Sequence, residues 1–150
     1  MKNTLASTSN IITWENTVEF IPPIDNGVVI KVYDGDTITI ATKLPINNSP
    51  LYRFSIRLNG IDTPEIKSVN EDEKKAAIEV KNILTEMLLN KNVLLKNLQN
   101  EKYGRILADV YLDDLCINEW LLRERLAVKY DGGTKQKPSS WLRYKLVGEI

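Results

Sequence analysis

Three short segments hold the residues able to do chemistry. They are Tyr33-Asp34-Gly35-Asp36-Thr37, then Ile61-Asp62-Thr63-Pro64-Glu65 with Arg57 just upstream, and Lys102-Tyr103-Gly104-Arg105. Carboxylates on turns and strand ends can hold a divalent cation, because hard cations take oxygen ligands. Guanidinium groups offer planar, permanently charged donors that match phosphate oxygens. A cation site beside two arginines is equipment for breaking a phosphodiester.

Composition narrows the chemistry further. The chain has no histidine, which excludes Ser-His-Asp and Cys-His nucleophile systems and any nuclease with a histidine base. A single cysteine, Cys116, permits neither an internal disulfide nor a Cys-rich zinc site, and reads as a small buried hydrophobe. A metal must therefore sit on oxygen, which favours Ca²⁺, Mg²⁺ or Mn²⁺. Net charge is zero, against indiscriminate polyanion binding through bulk charge. From residue 120 onward, however, seven basic residues face three acidic ones, either a solvated surface or a phosphate-facing patch.

The 150 residues suit one domain with one core. No run approaches the roughly 20 apolar residues of a membrane span. The first ten residues lack the apolar centre of a secretory signal, which predicts an intracellular protein with no membrane partner. Residues 1–26, polar and broken by Pro22-Pro23, read as an N-terminal arm ordered in part through Trp14, Phe20 and Ile21. Residues 27–150 read as the folded unit.

The elements that must position the three segments are legible in the pattern. Residues 28–33 and 37–40 are β-rich and flank the Asp34-Gly35 turn signal. Tyr52, Phe54, Ile56 and Leu58 alternate with Arg53, Ser55, Arg57 and Asn59, so Arg57 falls on the polar face of a half-buried strand, free to face a ligand. Ser68 or Asn70 caps a helix with an acidic first turn, and Ala76, Ala77, Val80, Ile83, Leu84, Met87 and Leu88 form its core stripe. Two more strands cover 93–98 and 105–112, a short helix covers 117–125, and a last helix follows Ser139 or Ser140. Five strands with one helix after the third is the order of an OB-type Greek-key barrel, a mainly β, α+β fold with about three helices.

On these motifs, in this order, the chain resembles the staphylococcal-nuclease-like (thermonuclease) domains from about Gly27 to Leu146. The resemblance implies a Ca²⁺ ion held by Asp36, Asp62 and the Thr63 carbonyl, with Asp34 as a nearby acidic group that tunes the site. It implies Glu65 as the residue that orients or deprotonates water, and Arg57 and Arg105 as the grip on the scissile phosphate. Lys102 and Tyr103 match residues that contact the other phosphate of the terminal nucleotide, although Tyr103 equally suits packing on the barrel. Tyr130 is the candidate to pack on the base, at a spacing that needs a one-residue gap. The resemblance further implies a monomeric endonuclease or exonuclease acting on DNA and RNA, single strands and frayed duplex above all, leaving 3′-phosphate and 5′-hydroxyl ends. The alternative is a relative that keeps the barrel as a nucleic-acid or protein binding module without catalysis. A plain single-strand binder ranks lower, since only two phenylalanines and scattered tyrosines are present.

Overall fold

A computed structural model describes residues 10–150; the earlier part of the expected arm lies outside the described residues. Strands β1 (Asn26–Asp34), β2 (Thr37–Lys43) and β3 (Leu51–Leu58) form an antiparallel meander. The two-residue strand β4 (Ile61–Asp62) follows, then helix α1 (Glu71–Leu88). Strands β5 (Asn92–Asn100) and β6 (Ile106–Leu112) complete the sheet, with β5 returning to the other edge of β1. The barrel closes through a parallel pairing of β3 with β6, in which Arg57 stands opposite Leu107. It is the five-stranded OB-type barrel the element order implies. Short β7 (Leu115–Cys116) leads into α2 (Ile117–Arg123), β8 (Val128–Lys129) pairs with β4, and α3 (Trp141–Val147) ends the fold.

The core fills the barrel and the space beneath α1. Val29, Ile38, Ile40, Ile56 and Leu58 meet Val80, Leu84 and Leu88 of the helix, and Val93, Ala108, Val110, Ile117 and Leu121 close the other side. Asn70 caps α1, its side chain accepting the Glu73 N–H at 3.0 Å. Buried Asn118 locks the β3–β4 corner: its Nδ2 donates to the Asn59 and Ala108 carbonyls while its Oδ1 accepts the Val110 N–H at 2.9 Å. None of the described helices is long and apolar enough to cross a membrane.

Three expectations need correction. The alternation along β3 holds only in its middle, from Arg53 to Ile56: Leu51 and Tyr52 are both exposed at the outer end, and Ile56, Arg57 and Leu58 are all buried at the inner end, because closure against β6 covers both faces there. The arm is not ordered by its large side chains, since Trp14 is 89% and Phe20 69% exposed and even Ile21 is half-exposed. Instead Thr13 and Asn16 exchange hydrogen bonds around a tight turn, Asn100 Nδ2 holds Glu19 and the Phe20 carbonyl, and Ile24 alone among the described arm residues enters the core. Cys116 is half-buried rather than enclosed.

Candidate active site

The β1–β2 turn, the end of β3 and the β4–β8 ribbon meet at one mouth of the barrel. Asp34 Oδ1 accepts the Asp36 N–H at 3.1 Å, and the Asp36 carbonyl accepts the Leu58 N–H at 2.8 Å, so the turn is fastened to the strand that carries Arg57. Gly35 permits this closeness: a Cβ there would lie 2.7 Å from Val80 Cγ1 and 2.9 Å from Thr63 Oγ1. The buried Asp36 carboxylate then accepts the Thr37 hydroxyl at 3.0 Å and the Thr63 hydroxyl at 3.1 Å.

Arg57 is 7% exposed and organises the centre. Its Nη1 donates to the Leu58 and Ile61 carbonyls at 2.8 and 2.9 Å, while Nη2 lies 3.4 Å from Asp36 and 3.6 Å from Asp62. The side chain is thus not free, as the strand pattern implied; its Nη1 donors are spent on backbone. That tether fixes the guanidinium plane and leaves the Nη2 edge on the carboxylate pair. Tyr130 lies beneath it, ring centroid 6.0 Å from the guanidinium carbon, brought there by its N–H bond to the Gly60 carbonyl.

Asp34, Asp36, Arg57, Asp62, Thr63, Glu65, Lys102, Tyr103, Arg105 and Tyr130 all line one open cleft of about 780 Å³. Asp36, Arg57, Asp62 and Thr63 form its tight centre. Arg105 reaches that centre through the Thr37 hydroxyl at 3.2 Å, while its Nε and Nη2 each donate to Glu101. Lys102 and Tyr103 stand apart at the rim, the ammonium 5.1 Å from the exposed ring.

Four residues escaped sequence reasoning. Lys135 extends from the loop after β8 and places its Nζ 3.0 Å from Glu65 and 3.5 Å from Asp62. Buried Glu73, at the third position of α1, accepts the Glu65 N–H at 3.0 Å on one oxygen and the Lys137 ammonium at 3.0 Å on the other. Glu101 steers Arg105. Glu73 had a signal of its own, the Asn70-x-x-Glu73 spacing of a helix N-terminal box, and its side chain reaches back past the cap to Glu65, whereas Lys135 and Lys137 were visible only as members of the basic run. The basic run after residue 120 divides: Lys135 lines the cleft, Lys137 pairs with Glu73, Arg143 with Glu149 and Lys145 with Glu79.

Burial raises two of the carboxyls, while hydrogen bonds and cations lower two others. Burial, then the neighbouring Asp36 charge, pushes Asp34 up to about 7 against the pull of Arg57. Burial also raises Asp62, although Lys135 and Arg57 oppose it. Burial would lift Glu73 as well, but the Glu65 N–H and Lys137 outweigh it and hold the group below the usual range. The Arg105 hydrogen bond keeps Glu101 low.

Among the described residues, no three Asp, Glu, His or Cys side chains converge as a ready-made metal cage. The donor set nevertheless suits a hard cation. Two buried carboxylates and a threonine meet, all oxygen donors, and two cations of the chain itself, the Arg57 and Lys135 head groups, already lie against them. Asp36, Asp62 and Thr63 would fill part of a coordination shell, with water or phosphate oxygens completing it.

The family model described as staphylococcal nuclease homologue matches residues 55–144, more than half of the chain. The chain belongs to that family. The match runs from the second half of β3 into α3 and covers every candidate residue except Asp34 and Asp36. The chain is 36% identical over 101 residues to the thermonuclease of Staphylococcus hyicus, an alignment covering 66% of this chain and 56% of that protein. It is 30% identical over 128 residues to a probable endonuclease of Schizosaccharomyces pombe, covering 71% and 56%. With an uncharacterized endonuclease of Haemophilus influenzae it shares 34% over 102 residues, covering 68% and 51%. This family member spans about half the length of the curated relatives it matches.

Proposed function

We propose that this chain hydrolyses phosphodiester bonds of DNA and RNA with little sequence preference, as a Ca²⁺-dependent nuclease. Mg²⁺ or Mn²⁺ are the alternative ions. The observation that carries this reading is the convergence of Asp36, Arg57 and Asp62 on one point, with Glu65 and Arg105 beside it in an open cleft. Family membership and relatives named endonuclease and thermonuclease support it. Residues 27–150 would act as the catalytic unit, a monomer carrying the N-terminal arm.

Asp36, Asp62 and the Thr63 carbonyl would hold the ion, whose charge lowers the cost of ionising water and of gathering charge on phosphate. Glu65, half-exposed on the cleft side, would take a proton from the attacking water. The backbone tether of Arg57 keeps the guanidinium aimed without reorganisation, which is what makes a donor effective as charge develops on phosphorus. Arg105, steered by Glu101, supplies the second grip. Tyr130 offers a ring for the base, and Lys102 and Tyr103 extend the contact along the strand. An open cleft of this kind admits a splayed single strand or frayed end more readily than a stacked duplex. Attack and departure of the 5′-oxygen would leave 3′-phosphate and 5′-hydroxyl ends.

The test is release of acid-soluble nucleotides from denatured DNA with Ca²⁺, with chelator, and with Glu65→Gln. Cleavage should require the ion and fall about 10²- to 10⁴-fold in the variant, the range for a lost general base. Undiminished cleavage by Glu65→Gln refutes the assignment of the base. Binding without cleavage, from folded protein and any divalent ion, refutes the nuclease reading in favour of a binding module.

A further inference from the structure

We propose that Lys135 is a tethered counter-ion for the cation site, displaced when a divalent ion enters and then taken up by strand phosphate, so that ion and nucleic acid bind cooperatively. The inference rests on the nuclease reading and assigns a role to a residue outside the family motifs described above. The Lys135 ammonium lies against two groups of different expected duty at once, Asp62 Oδ1 at 3.5 Å and Glu65 Oε1 at 3.0 Å. Asp62 is 2% exposed, so a cation leaving it must be replaced by another. The lysine side chain itself is half-exposed, able to leave without unpacking the core.

The loop is built for a side-chain swing rather than a loop opening. Two residues on, Lys137 is anchored on buried Glu73, and the other oxygen of Glu73 holds the Glu65 backbone. Releasing Lys135 therefore leaves the loop, Glu73 and Glu65 in place. A lysine is a compact point charge on a flexible stem, unlike Arg57, whose plane is fixed by two carbonyls. The Tyr130 ring flanks both head groups, its centroid 6.0 Å from the Arg57 guanidinium carbon and 5.9 Å from the Lys135 ammonium, so the ammonium borders the surface expected to receive a nucleotide. Without nucleic acid, Lys135 competes with the ion for Asp62. With a strand present, phosphate offers the ammonium a second partner and the competition ends. Linkage then requires each ligand to tighten the other.

Calorimetric titration of Ca²⁺ into wild type, Lys135→Met and Lys135→Arg at fixed pH and salt tests this, alone and with a phosphorothioate oligothymidylate. Circular dichroism checks folding of each variant. Lys135→Met should bind Ca²⁺ about tenfold more tightly than wild type without nucleic acid, within the usual size of a coupling between sites. Lys135→Arg, which keeps the charge, should stay close to wild type. The oligothymidylate should tighten Ca²⁺ binding to wild type and do so far less for Lys135→Met. Equal Ca²⁺ affinity in wild type and Lys135→Met overturns the inference while leaving the nuclease reading intact. Failure of both proteins to bind Ca²⁺ overturns the inference together with the Ca²⁺-dependent reading.

Discussion

Replacing Glu73 by glutamine isolates one carboxylate that supports the site without lining its centre. Glu73 is 6% exposed and divides its oxygens, one to the Glu65 N–H and one to the Lys137 ammonium, each at 3.0 Å. Glutamine keeps the volume but offers one acceptor and one NH₂. Whichever way the amide turns, a donor meets a donor, so one of the two bonds is lost. Hydrogen bonds to a charged group contribute about 1.5–3 kcal/mol each. The Lys137 side is 42% exposed and screened, so its share falls toward the lower values of surface pairs, roughly 0.5–1 kcal/mol. The bond to Glu65 survives only as a neutral one, at about half its strength. Together these predict a loss of about 2 kcal/mol at pH 7. The pH dependence has a definite sign. Glu73 is held below its ordinary value of 4.5 in the folded protein, so its contribution is complete above that value and is lost as pH falls through the lower folded value. Once Glu73 is protonated, wild type and variant should be nearly equally stable. Urea unfolding of both proteins, followed from pH 7 down toward pH 3, measures the gap directly. A gap under about 0.5 kcal/mol at pH 7, or one that persists unchanged in acid, refutes the assignment of charge-assisted bonds to Glu73.

Two further substitutions probe the scaffold. Gly35→Ala should destabilise by about 1–3 kcal/mol in thermal or urea unfolding, because its Cβ would press on Val80 Cγ1 and Thr63 Oγ1; an unchanged midpoint would mean that the turn relaxes freely. Asn118→Ala leaves the buried Val110 N–H without its partner and should cost about 2 kcal/mol, with faster amide hydrogen exchange at Val110; unaltered exchange there would contradict the corner lock.

The strands and α1 were legible because their burial is periodic. Asn70 caps where its type predicts, and the stripe from Ala77 to Leu88 packs where helical spacing puts it. Arg57 shows where periodicity stops informing. Alternation assigns it to an open face, but a barrel that closes against β6 covers both faces of β3 at that end, which no local pattern encodes. Strands β4 and β8 are two residues each, too short to carry a period, yet their pairing brings Tyr130 beneath Arg57. Lys135 and Lys137 lie in a loop without repeating pattern, and their partners Asp62, Glu65 and Glu73 lie far back in the chain. Such pairs follow from topology, and topology was legible only as an element order.

The parallel seam between β3 and β6 also fixes when, as the chain emerges, a working cleft can exist. The meander from Asn26 to Leu58 can pair with itself early, since its contacts are local. Arg57 nevertheless waits for β6 to cover it, and Asp62 waits longer for β8. On this order the acidic and arginine groups come together only once β8 has been made. The closing of the barrel is also the assembly of the site, so folding and site formation are one event.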